Sequence, residues 1–71
     1  MAAVHSEVTG IVCRVEVRIG QSVAEGDTLV IVESMKMEIA VIAEHAGTVA
    51  RVLCKPGAHV APGQTLLVLA E

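Results

Sequence analysis

Seventy-one residues carrying a net charge of −3 make one small domain, which hides only roughly 60% of its unfolded surface and has no room to wall off a catalytic cleft. There is no Phe, Tyr or Trp, so base stacking is excluded, and the mildly acidic balance removes the electrostatic basis of nucleic-acid binding. No apolar run approaches the roughly 20 residues of a membrane span. Met1-Ala2-Ala3-Val4-His5 lacks the charged and apolar regions of a secretory leader, so the expected compartment is the cytoplasm.

Taken in chain order, the apolar residues describe strands. Ile11, Cys13, Val15, Val17 and Ile19 alternate with Arg14, Glu16 and Arg18, and Val, Ile and Leu dominate, as β-branched and aliphatic strand sequences do. Val12 interrupts the alternation and predicts a bulge or a partly covered outer face. Gly20-Gln21-Ser22-Val23-Ala24-Glu25-Gly26 then reads as turns, and Thr28 to Glu33 as the next strand. After a linker, Ser34 to Ala43, the pattern returns. Ala61-Pro62-Gly63-Gln64 and Lys55-Pro56-Gly57-Ala58 have the form of type II turns, in which proline presets φ and glycine accepts a positive φ. Thr65 to Leu69 closes the series, and no helix is expected.

The return is a repeat. Residues 7–33 superpose on 44–70 with a constant shift of 37 residues, which places Gly10 on Gly47, Gly20 on Gly57 and Gly26 on Gly63 and so accounts for all six glycines. Val12/Val49, Arg14/Arg51, Val23/Val60, Thr28/Thr65 and Leu29/Leu66 also coincide. Two copies of one supersecondary unit are expected to pack face to face as a flattened barrel or sandwich, a single domain over residues 1–71 with one end carrying the termini and the other the linker. Cys13 and Cys54 fall opposite Ala50 and Val17 in the repeat, which marks them as free thiols filling the core. Two cysteines form no disulfide framework, and His5, His45 and His59 are scattered surface residues that propose no metal site.

The linker departs from these rules. Glu33-Ser34-Met35-Lys36-Met37-Glu38 contains no Gly, Pro, Asn or Asp, yet the chain must reverse near Met35-Lys36 because strands lie on both sides. A two-residue hairpin over 34–37 puts non-glycine residues where φ > 0 is required, and places where local preference loses are often functional. Lys36, one of two lysines, then offers its amine to solvent on a flexible stem. By spacing alone, a solvated turn lysine is as good a reading as a modified one. Met35 and Met37 are either cover for the end of the barrel or adaptable docking contacts. Glu33 and Glu38 face each other across the hairpin, where like charges oppose, and are either splayed toward a basic partner or simply solvated.

Met35-Lys36-Met37 within Glu33-Ser34-Met35-Lys36-Met37-Glu38, together with the duplicated Gly-x-x-Val-x-x-Gly units, resembles the biotin carboxyl carrier domains of the biotinyl/lipoyl attachment family over roughly Val8 to Leu69. The resemblance implies two four-stranded antiparallel sheets related by a pseudo-two-fold, a barrel-sandwich hybrid, with biotin joined covalently to Lys36. It implies that Met35 and Met37 are read by a biotin protein ligase. It also implies a non-catalytic, monomeric carrier that takes carboxybiotin from a biotin carboxylase to a carboxyltransferase. Val8-Thr9-Gly10 stands where many carriers have Met-Pro-Gly or Met-Ala-Gly, and the direct run from Arg14 to Val23 leaves no place for the protruding thumb of some bacterial carriers. A lipoyl carrier on the same fold usually has an acidic residue before the lysine and a small one after it, which Met35 and Met37 contradict. An unmodified module of the kind found in membrane-fusion proteins generally lacks the hairpin lysine.

Overall fold

The computed structural model describes residues 1–71 as eight strands and no helix: β1 (Ala2–His5), β2 (Gly10–Val15), β3 (Ser22–Val23), β4 (Thr28–Ser34), β5 (Met37–Ile42), β6 (Gly47–Val52), β7 (His59–Val60) and β8 (Thr65–Ala70). They form two four-stranded sheets in the orders β1-β8-β6-β3 and β5-β4-β2-β7, with every pairing antiparallel. The flattened sandwich expected from the alternation is therefore present, 32 × 19 × 18 Å in extent.

The halves interlock rather than stack. Adding 37 residues carries β1 onto β5, β2 onto β6, β3 onto β7 and β4 onto β8, and so carries one sheet order onto the other. Each sheet takes its two central strands from one half and its two edges from the other. The repeat accordingly begins earlier than Glu7. Ala2–His5 is the counterpart of Ile39–Ile42, and only the hairpin tip lacks a second copy. Backbone bonds repeat with it: Gly20 N–H donates to Val49 O at 2.8 Å and Gly57 N–H to Val12 O at 2.8 Å.

The core is a single aliphatic cluster of Val12, Val17, Val23, Leu29, Val30, Val32, Ala43, Val49, Val60, Leu66, Leu67 and Leu69. Two bulges per half make it possible. The register slips between Val12 and Arg14 in one half and between Val49 and Arg51 in the other, leaving Cys13 and Ala50 as the extra residues. Leu29 and Leu66 are extra against β5 and β1, so the neighbours Leu29-Val30 and Leu66-Leu67 all turn inward and are fully buried. Adjacent residues on a regular strand would point to opposite faces.

The bulge marked by Val12 corrects the face assigned to the first strand. Val12 is the buried residue at 1% exposure and Ile11 is exposed at 39%, because the extra residue at Cys13 inverts the alternation before it; Ile19, exposed at 67%, lies in the turn beyond the strand. The strand also ends at Val15 rather than Ile19. Neither cysteine fills the core as expected: both are half-exposed. Cys13 is displaced by the bulge, and Cys54 packs against the rim of the cluster. Partial burial pushes the Cys54 thiol above its ordinary value, since desolvation disfavours the thiolate. A raised folded-state value means the contribution to stability is present below the unfolded thiol's value and is lost as pH rises through the folded one. At mildly alkaline pH, iodoacetamide is expected to alkylate Cys54 more slowly in the native than in the urea-unfolded protein, read by peptide mass mapping.

Candidate functional site

The β4–β5 hairpin is the most irregular feature of the backbone. Ser34 pairs with Met37 and Glu33 with Glu38, so the turn is the two-residue Met35-Lys36, with φ of 52° and 65°. These are the only non-glycine residues at positive φ. Both central residues in that region define a type I′ turn, whose twist matches that of the strands it joins but which Asn-Gly or Asp-Gly would occupy at lower cost. Met35→Asn is expected to raise the thermal midpoint by several degrees, since removing about 1 kcal/mol of left-handed strain shifts a domain of this size by about 4–8 °C. Differential scanning calorimetry would read it.

The local reversal carries Lys36 to the extremity of the molecule. Ala2 pairs with Leu69 near the chain ends, whereas the hairpin contacts the loop after β1, with Ser34 Oγ donating to Thr9 O at 2.7 Å. The termini and Lys36 thus lie at opposite ends. Lys36 is exposed and joins neither of the two ion pairs. Met35 and Met37 are 92% and 64% exposed. They project into solvent rather than covering the barrel end.

Of the facing carboxylates Glu33 and Glu38, Glu38 has a cationic neighbour within the chain. Arg14, on the next strand, lies 3.6 Å from Glu38 and 3.0 Å from Glu16. The hydrogen bond to Glu16, with help from Glu38, raises the exposed guanidinium above its usual value. Beside the hairpin, Val8, Thr9, Gly10, Ile11 and Pro62 form a shallow cleft with Ser34, Met35 and Lys36. Sequence reasoning missed the Val8–Gly10 wall, because nothing local in that loop signals contact with a residue 25 positions away. His5, His45 and His59 are all exposed, and no three potential ligands converge on a metal position.

The family model described as biotin-requiring enzyme, which covers biotin/lipoyl domains, matches residues 1–69. The chain belongs to the biotin/lipoyl domain family. A biotinylated protein TB7.3 homolog of Mycolicibacterium smegmatis is 52% identical over 40 residues, 56% of this chain and 56% of that protein. Among solved structures, the Kluyveromyces lactis urea carboxylase superposes with a TM-score of 0.92 at 33% identity over 97% of this chain and 6% of that one. A single-chain, multi-domain long-chain acyl-CoA carboxylase superposes with a TM-score of 0.88 at 35% identity, covering 93% of this chain and 7% of the other. The chain therefore spans a small part of each carboxylase, and the matched stretch just over half of the curated relative.

Within the biotin/lipoyl family the residue to be acylated must present a free amine clear of the domain body. Lys36 is an exposed lysine at a hairpin tip, away from both ion pairs. Lys55, the other lysine, stands at a glycine turn, where Ala58 N–H donates to Lys55 O at 3.1 Å.

Proposed function

We propose that this domain is a biotin carboxyl carrier, with biotin held as an amide on Lys36. The observation that carries the reading is the exposed lysine on a type I′ tip between two solvent-facing methionines, in a chain of the biotin/lipoyl family. When bound, biotin supplies a ureido nitrogen that accepts a carboxyl group at one active site and releases it at another.

The residues of the chain present and carry. Attachment needs the Lys36 amine to lose a proton and attack the activated carboxyl carbon of biotin held by a ligase; the C–N bond forms as the activating group leaves. The hairpin gives that amine an unobstructed approach. Met35 and Met37 are read by the ligase and, later, by the carboxylase and carboxyltransferase, through thioethers that adapt to differently shaped surfaces. Tethering keeps the cargo at high effective concentration near each partner, and the catalytic groups belong to those partners. The two-sheet body holds the tip away from the termini, so the partners meet the lysine without meeting the rest of the chain.

The test is intact mass with peptide mapping after incubation with a biotin ligase and, separately, a lipoyl ligase. One biotinyl addition on Lys36, and none from the lipoyl enzyme, is the expected result. A lipoyl addition would make the domain a lipoyl carrier, and no addition from either would leave an unmodified interaction module.

A further inference from the structure

Ile11, Ile19 and Ile42 all face solvent. Ile19 lies in the turn after β2, and Ile42 ends β5 opposite Thr28, six residues from the hairpin lysine. Ile11 alone stands beside the hairpin: it pairs with Glu33 on β4 and lines the cleft that Met35 and Lys36 also line. The core makes no use of it. Its neighbours across the sheet, Glu33 and His59, are both exposed, and Ile11 is not among the aliphatic side chains packed on the core. Its counterpart 37 residues on is Thr48, which is exposed as well. The fold is therefore satisfied at this position by a β-branched residue that ends in a hydroxyl.

The charges around Ile11 describe what would cover it. Glu7 and Glu33 line the same cleft and join neither ion pair, whereas on the far side of β4 Glu38 already has Arg14 at 3.6 Å. The place equivalent to Ile11 and Glu33 on the other sheet holds Thr48 and Ala70, so the combination of an exposed isoleucine with an unanswered carboxylate occurs only beside Lys36. An enzyme that encloses the Lys36 amine from the β2 side comes against this wall of the cleft. The complementary surface carries an apolar side chain for Ile11 and cationic groups for the two carboxylates.

We propose that Ile11 is a docking residue for the biotin protein ligase, seated against an apolar side chain on a basic part of that enzyme, so that recognition of the carrier extends from the methionines onto the β2 side of the sheet. The inference rests on the carrier reading above. Ile11 touches no reacting atom, so its contribution is to association. Such a contact holds the bound chain and the transition state equally and is read in KM rather than in kcat. Covering a side chain that is 39% exposed strengthens association by about three- to tenfold.

The experiment is steady-state biotin transfer by a purified biotin ligase, with the whole chain as varied substrate, biotin and ATP saturating. Ile11→Thr is expected to raise KM for the carrier about three- to tenfold with kcat unchanged. Its thermal midpoint should stay that of the unaltered chain, since threonine is what the other half carries. Ile11→Val keeps the apolar surface and is expected to restore KM. Ile19→Thr and Ile42→Thr remove exposed apolar surface away from the hairpin and are expected to leave KM where it was. An unchanged KM in Ile11→Thr would overturn the proposal, as would a fall in kcat alone or an equal rise in KM for Ile42→Thr. Amide resonances of Gly10 and Ile11 that shift on biotinylation, with KM unchanged in Ile11→Thr, would place the attached biotin rather than the ligase on this residue and overturn it too. Failure of the unaltered chain to take biotin on Lys36 overturns the carrier reading itself; equal KM for the unaltered chain and Ile11→Thr overturns only the docking role.

Discussion

Lys36→Arg is expected to take up no biotin from the ligase while melting at the temperature of the unaltered protein. Arginine preserves the positive charge and the long stem, but its guanidinium stays protonated at any working pH and has no lone pair to offer an acyl carbon. Stability is unaffected because Lys36 is exposed and joins no ion pair, and arginine at the same positive φ of 65° bears the same backbone strain. Intact mass and a streptavidin blot would read attachment, with thermal denaturation alongside. A biotin adduct surviving the substitution would move the site to Lys55 or the N-terminal amine, since no third lysine exists.

Gly10→Ala is expected to destabilise the domain by on the order of 3 kcal/mol, at the upper end of what overpacking costs and a large part of the about 4–10 kcal/mol that a chain of this length holds. The reason is close approach rather than an unusual torsion. A Cβ at Gly10 would lie 2.3 Å from Glu33 O and 2.9 Å from Val32 Cγ1. The carbonyl is backbone in the middle of a sheet and cannot swing aside, so β2 and β4 must part at the strand end that leads to Ser34 and Lys36. At Gly47, the counterpart, the closest atom is Ala70 O at 2.8 Å, near the chain end, so Gly47→Ala should cost less. Gly20, with φ of 91° and open space around it, is a different case: Gly20→Ala should cost about 1 kcal/mol from backbone preference alone. Urea unfolding of the three variants gives the ranking, and a larger loss at Gly20 than at Gly10 would refute the steric account.

Different kinds of residue made different parts of the molecule legible. Turn glycines and prolines are local signals, so the repeat and its turns could be read from spacing. Gly57 and Gly63, each following a proline, do take positive φ, near 90° and 85°. The reversal at Met35-Lys36 was legible for the opposite reason, because strands on both sides force a turn that its own residues do not favour. Strand β1 was missed because Ala2-Ala3-Val4-His5 carries little strand preference by itself; it is a strand because β8 offers it a partner, from Ala2↔Leu69 to His5↔Thr65. The wrong face for Ile11 and the wrong burial for Cys13 share one cause, whereas Cys54 lies past the end of β6, at the rim of the core. Alternation predicts faces only until a bulge intervenes, and the break at Val12 signalled a bulge without locating its extra residue at Cys13.

By itself, then, the sequence determined the two-fold repetition, the turns that punctuate it and the exposed lysine between two methionines, since each depends on residues adjacent in the chain and on their intrinsic torsional and solvation preferences. Only the tertiary structure decided that the halves exchange edge strands, which residues of each bulged strand reach the core, and that Ser34 is bonded to Thr9. Those features are set by hydrogen bonds and packing between residues far apart in the chain, where local preference is silent and the burial of a shared core selects one register.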